Sequence, residues 1–129
     1  MATELPDKGQ KDAQAAYAAA KAGQFVMPEG GAKRLAAQCD TLVEGLVQEI
    51  AECEVLTRVN GFPDLPSGRA LTQGFSAKGH EYIDTLKAFV QAALQYKAAY
   101  LAAGKQFTEA DAANRAAIKY ATDQLGNNA

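Results

Sequence analysis

The sequence predicts an all-α protein, an antiparallel helical hairpin of two long helices with shorter N- and C-terminal helical segments. Two observations carry that expectation. The stretch Asn60-Gly61-Phe62-Pro63-Asp64-Leu65-Pro66-Ser67-Gly68 packs two prolines and two glycines, with an Asn and an Asp, into nine residues. Proline removes a backbone donor and Asn-Gly supplies positive-φ positions, so this stretch breaks a helix. On both sides of it lie long runs whose apolar residues recur at steps of three and four, the period of an amphipathic helix. A short break between two such runs is the bend of a helical hairpin.

Composition excludes several classes. The 129 residues fit one domain. They are 48% hydrophobic and 22% charged with a formal net charge of −2. Acids and bases are interspersed, so no concentrated basic surface points to nucleic acid. Charged or amide residues interrupt every apolar run well short of the ~20 residues of a membrane span. Met1 to Lys8 has neither a basic opening nor an apolar core, so it does not read as a cleavable export signal.

In order, residues 1–27 read as an N-terminal arm with a short Ala-rich helix. Residues 1–11 read as a loose arm; Asp12 is expected to cap Ala13 to Ala22, with Tyr17 as its one large apolar contact, and Gly23 ends the segment. Residues 28–107 read as the hairpin, with its bend at 60–68. Its first helix is expected from about Pro28 or Ala32 to Val59. Leu35, Cys39, Leu42, Leu46, Ile50 and Cys53 form the stripe, and Val43, Val47 and Leu56 widen it. Cys39 and Cys53 are fourteen residues apart, about 21 Å on a continuous helix, too far to bridge. They read as reduced thiols serving as small apolar groups.

The bend should close on Gly61, Phe62, Pro63 and Gly68, with Ser67 capping the next helix and Leu65 or Phe62 plugging the open end. The second helix is expected from Ser67–Arg69 to about Ala103 or Phe107. Leu71, Phe75, Tyr82, Leu86, Phe89, Ala93, Tyr96, Tyr100, Ala103 and Phe107 make one stripe, with steps alternating four and three from Tyr82 onward. Ile83, Val90, Leu94 and Leu101 make a second beside it. One partner helix covers one seam, so this width asks for something more. Tyr82, Leu86, Phe89, Val90, Tyr96 and Tyr100 are the expected partner interface. Gly74 and Gly79 should mark close helix approach. Residues 108–129 form a C-terminal helical tail. Thr108 is its expected N-cap and Asp111 the supporting acid of a helix from about Glu109 to Leu125.

No catalytic, cofactor-binding or metal-ligating constellation emerges, and no cofactor is expected. His80 beside Glu81 lacks the further ligands a zinc site needs. Carboxylates fall on solvated helix faces.

Two long helices, a Gly-containing bend and an aromatic-x-x-x-acid element after the second helix resemble the W-x-G family, substrates of type VII (ESX) secretion in actinobacteria, and its EspC-like relatives. Val59 to Arg69 followed by Phe75 looks like the bend of those relatives, and Phe107-Thr-Glu-Ala-Asp111 like their Y-x-x-x-D/E export element. The chain has no Trp, Gly61-Phe62-Pro63 stands where the family has Trp-x-Gly, and Phe107 replaces the tyrosine. The resemblance implies a homo- or heterodimer with another helical hairpin protein, recognised by the secretion machinery through Phe107 and Asp111. It implies a secreted or cell-envelope location by that route, without enzymatic activity. The alternative is a cytoplasmic helical adaptor or chaperone that holds a partner protein on its apolar stripe.

Overall fold

The computed structural model describes residues 4–127. The protein is all-helical, with no strand among the described residues. Its elements are α1 (Gln10–Lys21), α2 (Glu29–Cys53), a 3₁₀ turn (Glu54–Thr57), α3 (Pro66–Ala103) and α4 (Phe107–Asn127). None of these helices is long and apolar enough to cross a membrane.

The central element is α3, against which α1, α2 and α4 all pack. Its last third supplies Ala98, Leu101, Ala102 and Ala103 to one cluster, joined by Ala20 of α1, Ala36 of α2, and Ala110 and Ala113 of α4. Tyr17, Phe25 and Met27 close over that cluster. Alanine combines the highest helix propensity with the smallest apolar side chain, so four helices can meet at short range. The largest side chains that are fully buried are only Val90 and Gln95.

Two glycines fix how α2 lies on α3. A Cβ on Gly79 would collide with the carbonyl oxygen of Leu56, and one on Gly104 would collide with the Cβ of Ala32. Between these points Lys97 reaches Asp40 at 2.8 Å and the Tyr82 hydroxyl donates to Glu49 at 3.3 Å. The loop before α2 is tied down as well, because the Met27 amide donates to the Ala103 carbonyl at 2.9 Å. Gly74, paired with Gly79 in the sequence expectation, has nothing within 4 Å of its would-be Cβ and marks no contact.

Helix ends differ from expectation for local reasons. The α-helical ladder of α2 stops at Cys53 rather than Val59. There the Thr57 hydroxyl donates to the Glu54 carbonyl at 2.7 Å, and the chain tightens into the 3₁₀ turn that sets Leu56 on Gly79. Ser67 does not cap α3, since Pro66 takes the first helical position and Leu65 precedes it without a side-chain cap. Asp12 does not cap α1 either: Asp7 accepts the Gly9 and Lys11 amides at 3.3 Å, and Asp12 lies in the first turn. Of the segment read as a loose arm, residues 1–3 lie outside the described residues, and the rest is packed, for Leu5 and Gln10 are both buried. The Gln10 amide donates to the Pro6 carbonyl at 2.8 Å and to Gln91 at 3.3 Å.

Both α1 and α3 end in the same hydrogen-bond pattern. Gln24 and Gly23 donate to Ala19 and Ala20 after α1, as Gln106 and Lys105 donate to Leu101 and Ala102 after α3. Gly23 takes the left-handed position at φ 78°, whereas Lys105 adopts it at φ 63° with a side chain attached.

The glycine contacts make a paired prediction. Gly79→Ala must push the Leu56 backbone away and should destabilise the fold by about 2 kcal/mol or more. Gly74→Ala meets open space inside a helix and should stabilise it by roughly 0.5–1 kcal/mol. Urea denaturation of both variants measures the difference.

Candidate protein-binding surface

Large apolar side chains stand exposed at the start of α3 and in the segment that precedes it. Val55 and Leu56 from the 3₁₀ turn, Phe62 and Leu65 from the bend, and Leu71 and Phe75 from α3 are all exposed, Val55 by 65% and Phe75 by 54%. Phe62 and Phe75 stack with ring centroids 5.9 Å apart and planes 5° from parallel. The two rings, with Leu56, Val59, Gly79 and Tyr82, line an open groove of about 540 Å³. Phe62 and Leu65 therefore do not plug the open end between α2 and α3, as the sequence suggested; both are exposed there.

The bend is shaped by the residues expected to close it. Gly61 takes φ 101°, and Gly68 is buried so closely against Pro63 that a Cβ there would strike the Pro63 carbonyl. Arg69 holds Asp64 at 2.6 Å across the bend, and Lys78 holds Glu81 at 3.1 Å further along. Between Val55 and His80 stand Arg58, Arg69 and Lys78 against the single acid Asp64.

The six residues expected to form a partner interface are divided by the fold. Leu86, from the first stripe, and Val90, from the second, are both buried within the chain, on a helix against which α1, α2 and α4 all pack. They leave the set of partner-facing residues. Tyr82 is exposed beside the Phe62–Phe75 groove. Phe89, Tyr96 and Tyr100 line a different groove, between the N-terminal arm and α2.

Phe107 and Asp111 open α4. Phe107 is the first helical residue and 43% exposed, so it does not continue the seam of α3. Thr108 lies inside the first turn rather than capping it, and the Gln106 carbonyl accepts the first helical amide, that of Ala110, at 2.9 Å. Asp111 does not support that cap. Its carboxylate accepts from the Tyr17 hydroxyl and from the Lys21 ammonium, the latter at 2.8 Å, and so joins α4 to α1. Lys21 also lies 5.5 Å from the centre of the Tyr17 ring. The hydrogen bond from Lys21, then that from Tyr17, hold the Asp111 carboxyl below its ordinary value. Burial first, then Asp111, push the Tyr17 phenol up. Sequence reasoning missed this joint: Tyr17 was visible as the one large apolar contact of α1, but nothing local announces a partner 94 residues away.

Among the described residues no group of three or more His, Cys, Asp or Glu side chains is placed to hold a metal ion. Cys39 is buried and Cys53 half-buried, and both are free thiols. Burial raises the Cys39 pKa, and the hydrogen bond to Glu49 raises that of Cys53, so neither is activated as a thiolate. His80 is exposed, in a cleft of about 380 Å³ that Glu54, Asp84 and Lys87 also line.

No protein-family model, no curated protein and no solved structure matches the chain.

The joint between α1 and α4 predicts a pH dependence. A carboxyl whose folded pKa is depressed contributes stability that is present above its unfolded value, 3.8, and is lost as pH falls through the lower folded value. The stability difference between wild type and Asp111→Asn should therefore be constant near neutrality and shrink below about pH 4. Thermal melts of both proteins across pH 2.5–7 measure it, and a difference that persists in full at the acid end excludes the joint.

Proposed function

We propose that the protein is a non-enzymatic helical adaptor that binds a partner protein on the uncovered end of α2 and α3. In this reading α2 and α3 are the two arms of an antiparallel hairpin, and α1 and α4 brace its base. The observation that carries it is the cluster of exposed Val55, Leu56, Phe62, Leu65, Leu71 and Phe75 at one end of the molecule. A contiguous apolar patch of this kind marks a contact surface, and stacked aromatic rings are frequent anchors in such contacts. An amphipathic helix of another hairpin protein, or of a second copy, fits the groove under the Phe62–Phe75 stack. Phe75→Glu places a charge on the exposed patch and should leave the fold intact. Affinity capture from the native host, with wild-type and variant chains as bait, is expected to recover a stoichiometric helical partner with the first and lose it with the second. Equal recovery with both baits would overturn this reading.

A second reading follows the resemblance to type VII secretion substrates. It draws support from Phe107, whose ring stands exposed one helical turn from Asp111. A ring and a carboxylate on one face make a compact target for an apolar pocket with a nearby cation. Under this reading Phe107→Ala should abolish appearance in culture filtrate while the intracellular protein remains folded and abundant. Secretion of the variant at the wild-type level would remove Phe107 from any export element. The two readings separate because Phe75→Glu leaves the Phe107 element untouched.

A further inference from the structure

The groove between the N-terminal arm, α2 and α3 is separate from the apolar end at Phe62 and Phe75 and has a different chemistry. Its walls are Cys39, Leu42 and Leu46 from α2 and Phe89, Tyr96 and Tyr100 from α3. The hollow exists because Ala92 and Ala93 lie where larger residues would fill it, and it forms an open trough of about 480 Å³. Phe89 to Tyr100 extends about 16 Å along α3, so the groove is long as well as apolar.

One charged side chain lines it, Lys8, an exposed residue that the packed arm carries to the rim of the groove over α3. The arm is held there by Gln10, whose side chain bonds the Lys8 amide, the Pro6 carbonyl and Gln91. Asp7, next to Lys8, is turned to the start of α1 through the Gly9 and Lys11 amides. Among the described residues the Lys8 ammonium has no ion-pair partner, and no acid lines the groove. The rings of Tyr96 and Tyr100 stack with centroids 6.1 Å apart. A long apolar trough with one unpaired cation complements a molecule with an apolar tail and one negative charge.

We propose that this groove binds a single-chain amphiphile with an anionic head, of the class of long-chain carboxylates. The tail lies along Leu42, Leu46 and Phe89, and the carboxylate meets Lys8 as a point charge. Binding is to the free monomeric amphiphile, since the groove lies against the arm and not on the exposed end of the hairpin. The site does not rest on the adaptor reading, and neither set of variants touches the other surface.

Titration of the full chain with dodecanoate below its micelle concentration, followed by calorimetry and by tyrosine fluorescence, tests the proposal. One molecule is expected to bind per chain, with dodecyltrimethylammonium failing to bind at the same concentrations. Lys8→Glu should weaken dodecanoate by about tenfold or more, as loss and reversal of a charge-assisted contact require. Leu42→Glu, at a position already 53% exposed and so tolerant of a polar side chain, should abolish binding without unfolding the chain. Absence of saturable binding, equal affinity for both head groups, or unchanged affinity in both variants would overturn the proposal. Association with phosphatidylglycerol vesicles but not with dodecanoate would overturn it too.

Discussion

Close approach to α3 is the constraint on which the rest of the molecule depends. Gly79 lets Leu56 of the 3₁₀ turn, and Gly104 just after α3 lets Ala32 of α2, approach with backbone nearly touching backbone or Cβ, and alanines do the same for α1 and α4. Dispersion is weak per atom pair and falls off steeply with distance, so a core of methyl groups holds only at short range. Each alanine also removes little area from water, at roughly 25 cal/mol per Å². Such a core gains cohesion from many close contacts rather than a few large ones. It is therefore intolerant of added volume at the glycines and indifferent to it at Gly74, where nothing approaches.

Leu5, Ile83, Leu86 and Leu101 are the few large apolar side chains that join the alanines in the core. Val90 and Gln95 are the largest fully buried side chains, while Phe62, Phe75, Phe89 and Phe107 are all exposed. Gln95 even brings a side-chain carbonyl into the core without a hydrogen-bond partner among the described residues. Single exposed apolar residues are ordinary on any protein surface, and the informative feature is their grouping. Here they fall into an open end, a groove closed on one side by the arm, and the start of α4.

The elements were largely legible in the sequence, and their partners were not. Asn60 to Gly68 announced the bend because proline and glycine act through local backbone chemistry, and the stripes of α2 and α3 announced helices because period is also local. The ends of α1, α2 and α3 shifted where a competing local bond won, Asp7 over Asp12, Thr57 over the continuing ladder and Pro66 over Ser67. The width of the apolar face on α3 was visible as well. Which part of it stays open was not, because burial of Leu86 and Val90 and exposure of Phe75 depend on how far two other helices reach along α3. The groove at Lys8 was hidden for the same reason, since it needs residue 8 to lie over residues 89–100.

The joint between α1 and α4 ties these levels together. Asp111 was legible as an acid one turn into a helix, where a capping role is the usual inference. Its carboxylate instead spans to Tyr17 and Lys21, so the same residue that would serve a recognition element also fastens the terminal helices around α3. Phe107, one turn earlier, is 43% exposed. A partner reading both residues would meet the ring first and would have to compete with Tyr17 and Lys21 for the acid. The exposed pair with Lys21 is the kind of contact that yields readily to such competition, since exposed ion pairs hold their geometry weakly in water. The two residues of the aromatic-x-x-x-acid element are thus unequal in this fold, with the ring available as it stands and the carboxylate held back by α1.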